Sequence, residues 1–300
     1  MYYSRSLCCL PPTIEPMVII FGLGFTGFRL ARRLVNQVET WAPVRGVERF
    51  RHLEDSGMRV LEFSRVMETP ALLPRSADVA LLIPPLPESE NQKLRECIQM
   101  SRPRRIVYVS STGVYGGQTD VDAHTLAAPN DERGLRRIDD EQWVANGPWS
   151  NLILRAAAIY GPGRGVHAAL RERRVPRGSD SGITSRIHVD DLVAIIEAGL
   201  FSEVQGAWPV ADEAASPTSE IVRWCLEEVG MDPPAETPAT PISAPASTQG
   251  RRVDGRQIRE LLGVSLKYPS WQTGIPACLQ EEDSRGNEGR CETTRSSEPL

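Results

Sequence analysis

The chain has 300 residues, 40% of them hydrophobic, which is enough to build a full core as one large domain or two closely joined ones. A net charge of -5 argues against a nucleic-acid-binding surface, and no apolar run approaches the roughly 20 residues that a membrane span needs. The six cysteines are scattered without a C-x-x-C pair and the four histidines are dispersed, which points to a reducing cytoplasm and to no structural metal.

Residues 1–16 hold Pro11, Pro12 and Pro16 and read as a loose N-terminal extension, with Met17 as an alternative start. From Met17 the run Met17-Val18-Ile19-Ile20-Phe21 reads as a buried strand, followed by Gly22-Leu23-Gly24-Phe25-Thr26-Gly27 and a helix over 28–38. This order binds dinucleotides: Gly22 permits the tight turn, Gly24 lets backbone N–H groups approach a pyrophosphate, and Gly27 lets helix and strand pack closely. The unpaired N–H groups at the helix start then face the anion, so Gly22, Gly24, Phe25, Thr26 and Gly27 are the predicted cofactor-binding residues. Further strands are expected at 39–44, 59–63, 78–83, 105–110 and 151–157, with helices at 47–56, 88–100 and 131–146 between them. Unbroken apolar strands alternating with helices predict an α/β fold, a Rossmann-like doubly wound parallel sheet over 17–163.

Gly161-Pro162-Gly163 breaks that pattern, and a smaller substrate lobe, partly interwoven with the first, is expected over 164–282. Its predicted pieces are a helix at 167–174, a turn at 178–182, a helix from Asp190 to Leu200, a strand at 207–211 and a helix capped by Ser216 with Pro217 in its first turn. The segment 232–250 contains five prolines and reads as a linker, 257–262 as an amphipathic helix, and 283–300 as a disordered tail.

Three further segments carry a resemblance. Val109-Ser110-Ser111-Thr112-Gly113-Val114-Tyr115-Gly116, Arg155-Ala156-Ala157-Ala158-Ile159-Tyr160-Gly161-Pro162-Gly163 and Arg186-Ile187-His188-Val189-Asp190-Asp191-Leu192 resemble, in this order, segments of the extended short-chain dehydrogenase/reductase family. That family includes nucleotide-sugar epimerases and dehydratases, and the likeness covers most of 17–280. It implies an NAD(P) cofactor bordered by Pro84 and Ser110, an active-site hydroxyl at Ser111, and Tyr160 beside the nicotinamide. It also implies a small anionic substrate such as a nucleotide sugar, and a homodimer.

The family's central device is a Tyr and a Lys four residues apart on one helix, where both share a face. With Gly134 and Glu141 setting the register, Arg133 and Arg137 stand in their places. In this the chain resembles an atypical, YeeZ-like subgroup of the family that lacks the pair. A guanidinium cannot abstract a proton near neutrality, since its pKa exceeds roughly 12. The candidates left for chemistry are Ser111, Tyr115 and Tyr160, with Thr112, Arg133, Arg137 and Arg186 as substrate-binding residues. Two arginines one turn apart can grip an anion, or they can belong to a solvated, salt-bridged face with Asp131, Glu132, Asp139 and Asp140. Arg45 follows the second strand where a carboxylate would bind the ribose of NAD, which inclines the reading toward NADP. A non-catalytic NAD(P)-binding redox sensor is the alternative function.

Overall fold

Seven parallel strands form the central sheet: β1 (Met17–Phe21), β2 (Glu39–Val44), β3 (Arg59–Glu62), β4 (Asp78–Leu81), β5 (Arg105–Ser111), β6 (Ser150–Ala156) and β7 (Gly206–Val210). Their spatial order is β3-β2-β1-β4-β5-β6-β7, the doubly wound order with its switch point between β1 and β4. The computed structural model describes residues 16–83, 86–176, 182–234 and 250–294, with side chains as far as Ser284.

Alternation along each strand feeds two cores. Val18 and Ile20 of β1 face one side with Leu30 and Leu34 of α1 (Phe25–Leu34), while Ile19 and Phe21 face the other with Leu94 and Ile98 of α2 (Glu88–Ser101). Val144 of α3 (Glu132–Ala145) packs on the α2 side, and Leu192, Ile195 and Ile196 of α4 (Val189–Leu200) pack on the α1 side. All of these side chains are almost fully buried, each contributing about 1.5–3 kcal/mol. Pro43 lies beyond the last β1–β2 pair, Ile19 and Trp41, and within the β2–β3 ladder, opposite Leu61.

Several elements differ from the sequence expectation. The first helix starts at Phe25, so Gly27 lies inside its first turn. Residues Val47–Leu53 form a 3-10 helix, and Phe63–Glu68 add a short helix after β3. Ser216 and Pro217 pair with Thr184 and Ile183 as a small antiparallel ladder, so Pro217 rather than Ser216 precedes the helix Thr218–Glu227. The last helix spans Trp271–Thr294, past the expected start of a disordered tail. Polar composition there serves ion pairing: Asp283 meets Arg171 at 2.5 Å and Glu281 meets Arg29 at 2.8 Å. Pro84, most of the 178–182 turn and most of the 232–250 linker lie outside the described residues.

In the second region, Ala158–Tyr160 runs parallel to Arg186–His188. Leu170, Ile221, Cys225, Trp271 and Ile275 close over Tyr160 as a separate small core. Among the described residues no helix is long and apolar enough to cross a membrane.

Candidate active site

The glycine turn has the close approaches its sequence implies. Gly22 adopts φ +105°, and a Cβ there would lie 2.9 Å from the carbonyl carbon of Leu82. A Cβ on Gly27 would sit 2.0 Å from the Gly22 carbonyl oxygen, which forces a residue without a side chain. Gly24 is different: no atom lies within 4 Å of its missing Cβ. The start of α1 is therefore open, and no side chain caps it. Its first N–H groups are left for an anion.

Cations gather around that opening. Arg32 and Arg49 line, with Gly24, Phe28, Phe50 and Pro162, a hollow of about 380 Å3. The Phe25 ring has Arg164 at 5.1 Å and Arg29 at 5.9 Å, and Thr26 is buried in the same turn. Arg45 stands exposed after β2, bonded to Glu90 at 2.8 Å and lying over the Phe63 ring. The donor set suits a dinucleotide diphosphate.

At the end of β5 the two serines diverge. The Ser110 hydroxyl points inward and donates to Glu141 Oε1 at 2.6 Å, while Ser111 Oγ accepts from the Gly113 N–H at 3.2 Å and opens the 3-10 turn Thr112–Tyr115. Ser110 therefore has a structural hydrogen bond rather than a free hydroxyl for a cofactor. Arg251 ties this turn down by donating to the carbonyls of Thr112, Gly116 and Gln118. Tyr115 is fully buried, and its hydroxyl accepts a long bond from Arg155 at 3.4 Å. Burial pushes its phenol up, with Arg155 opposing. The Tyr115 side chain packs in a small core with Val114, Val121 and Ala211, so its hydroxyl is engaged by Arg155 inside the protein.

Arg133 and Arg137 of α3 do not converge. Arg133 is exposed and, among the described residues, has no carboxylate partner. Arg137 turns onto β5 and donates to the Tyr108 hydroxyl at 2.9 Å and the Val109 carbonyl at 3.3 Å. Its Nε is buried without a partner. The outer face is salt-bridged, with Arg136 to Glu132 at 2.5 Å and Arg95 to Asp139 at 2.5 Å, while Asp140 is buried and accepts from Asn91 at 2.9 Å. A paired grip on one anion would require both guanidinium groups to turn.

Tyr160 and Arg186 do meet, in the wall of a cavity of about 450 Å3. The Tyr160 hydroxyl donates to the Ser270 carbonyl at 3.3 Å, and burial holds its phenol far above the ordinary range. Arg186 is buried and donates to the carbonyls of Thr184 at 2.8 Å and Ser216 at 3.0 Å and to Thr218 Oγ1 at 2.8 Å. Arg164, His167, Trp271 and Ile275 join the same wall. None of these four was singled out from the sequence, since Trp271 arrives from a helix more than a hundred residues away. His167 Nε2 lies 3.2 Å from Glu282 Oε1, an oxygen that also accepts the Gly163 N–H at 2.6 Å.

Beside Arg186, Asp212 is buried with Oδ2 unpartnered, and burial pushes its carboxyl up to about 7. A folded-state pKa above the unfolded value near 3.9 means that the folded chain holds the proton more tightly. This contribution to stability is complete below about pH 4 and is lost as pH rises toward 7. Asp212→Asn is expected to flatten that part of the stability profile and to raise the melting temperature at pH 8 above wild type, as thermal melts from pH 4 to 8 will show.

Comparison with known proteins extends the picture. No protein-family model matches the chain. A 3-diazoavenalumate denitrifying reductase of a Streptomyces species is 31% identical over 152 residues, 45% of this chain, so the match spans 49% of that relative's length. A conserved protein of unknown function from Silicibacter pomeroyi superposes with a TM-score of 0.68 at 25% identity, over 89% of this chain and 99% of the other. MoeE5, solved with UDP-glucose and NAD, gives a TM-score of 0.70 at 20% identity over 90% and 99% of the two chains.

Proposed function

We propose that this chain, which has the fold of the extended short-chain dehydrogenases/reductases, the NAD-dependent epimerase/dehydratase type, binds a nicotinamide dinucleotide across β1 and α1 and acts as an oxidoreductase or epimerase on a small anionic substrate. The open helix start at Gly24, bounded by two glycines that tolerate no side chain, carries the reading. Gly22, Gly24, Phe25, Thr26 and Gly27 hold the diphosphate, and Arg45, Arg32 and Arg49 favour NADP through its extra phosphate. The nicotinamide, when bound, supplies hydride transfer.

Ser111 is the hydroxyl available to polarise a carbonyl, and the cavity beside Tyr160 holds the substrate. MoeE5 and the Bordetella bronchiseptica enzyme WbmG, solved with NAD and UDP, make a nucleotide sugar the first substrate class to test. With Cys97, Cys225 and Cys278 as buried free thiols, we assign the protein to a reducing cytoplasm, and a homodimer is the assembly to look for.

Arg133 and Arg137 in place of the Tyr and Lys, together with two phenols whose burial disfavours the phenolate, favour the second reading, a redox sensor that binds NAD(P) without turnover. Titration of NADPH and NADH by fluorescence tests binding, and nicotinamide absorbance with candidate substrates tests turnover. The double variant Arg133→Tyr, Arg137→Lys is expected to raise turnover at least about tenfold, a gain typical of a restored acid–base group. Cofactor binding with no turnover in either protein selects the sensor.

A further inference from the structure

Resting on the substrate cavity proposed above, we infer that the space beside Tyr160 takes a compact amphipathic monoanion, an apolar ring or chain ending in a carboxylate, in preference to a nucleoside diphosphate sugar. The charge argument starts from three arginines in the wall. Arg174 is paired with Glu172, but Arg164 and Arg186 have no carboxylate within ion-pair distance among the described residues. Arg186 is buried and spends three N–H groups on Thr184, Ser216 and Thr218, out of the five that a guanidinium carries. Asp212 and Glu220 act on Arg186 from beyond ion-pair distance, so an anion in the cavity gives the buried cation a direct partner and offsets part of the cost of its burial.

The body of the ligand is set by the remaining wall. Ile159, Val166, Ile221, Trp271 and Ile275 supply its apolar surface. The described wall holds no Asn, Gln, Asp, Glu or Ser. Of its three hydroxyls, Thr218 accepts from Arg186 and Tyr160 donates to Ser270, which leaves that of Thr184. Beyond that hydroxyl, the uncharged side-chain atoms His167 Nδ1 and Trp271 Nε1 are buried without partners, and together these suit one or two polar substituents. A hexose and a uracil edge would bury several hydroxyls and amides unpaired. At about 450 Å3 the cavity has the size of small-ligand sites.

Calorimetry of the full chain, with and without NADPH, can compare 3-phenylpropanoate and octanoate with the neutral 3-phenylpropanamide and with UDP-glucose. Both acids are expected to bind, the amide at least about tenfold more weakly, and UDP-glucose not at all. Arg164→Gln is expected to weaken acid binding about tenfold in a protein whose melting temperature is unchanged. Tighter binding of UDP-glucose than of either acid, or no heat from either acid, overturns the inference. Absence of NADPH binding counts against the proposed function, and the acid titration of the free protein is read separately from it.

Discussion

Gly24→Val is expected to abolish NADPH binding while the protein still folds, whereas Gly27→Ala is expected to damage the fold itself. No atom lies within 4 Å of a Cβ at position 24, so the valine enters open space at the start of α1. That space is where a diphosphate must come within about 2.9 Å of backbone N–H groups, and a branched side chain keeps it out. We expect affinity to fall at least about a hundredfold, equivalent to roughly 2.7 kcal/mol. Loss of the glycine N-cap costs the fold only some tenths of a kcal/mol to about 1 kcal/mol. At position 27 the new Cβ would lie 2.0 Å from the Gly22 carbonyl oxygen, so helix and strand must separate. That overpacking costs about 3 kcal/mol, visible as a lowered melting temperature before any ligand is added. Wild-type affinity in Gly24→Val would place the cofactor elsewhere.

The contrast between these glycines shows which parts of the site are legible in a sequence. A G-x-G-x-x-G turn is a local backbone requirement, so its positions and the apolar runs of β1, β4 and β5 can be read directly. Side-chain direction is not local. The register of α3 places Arg133 and Arg137 one turn apart, yet nothing in that helix indicates that Arg137 turns onto Tyr108 while Arg133 stays in solvent. Ser110 and Ser111 are adjacent, and only the strand's alternation decides that the first meets Glu141 and the second stays at the surface turn. The cavity is harder still. Its wall joins residues 158–169 to Arg186, Ile221, Trp271 and Ile275, and no spacing rule connects these. At the start of the expected tail, composition registers the charge of Asp283 and not its partner. That partner is Arg171.

Glu141→Ala is expected to be the most destabilising substitution away from the glycine turn. Glu141 is buried on α3, where it accepts the Ser110 hydroxyl at 2.6 Å from β5 and Arg155 Nη2 at 2.7 Å from β6. Removing the carboxylate leaves the Arg155 cation, whose side chain is only 12% exposed, without its counter-charge and Ser110 without its acceptor. Breaking a buried pair from one side costs about 3–5 kcal/mol, because the surviving charge remains desolvated. Urea unfolding will measure it. The double variant Glu141→Leu, Arg155→Leu removes both charges together, and much of the loss should return, since an apolar pair of similar volume does not carry the desolvation cost. If that protein regains stability but not activity, the pair's value lies in holding β5, β6 and the Ser111 turn in place. Recovery of both would reduce it to a dispensable strut.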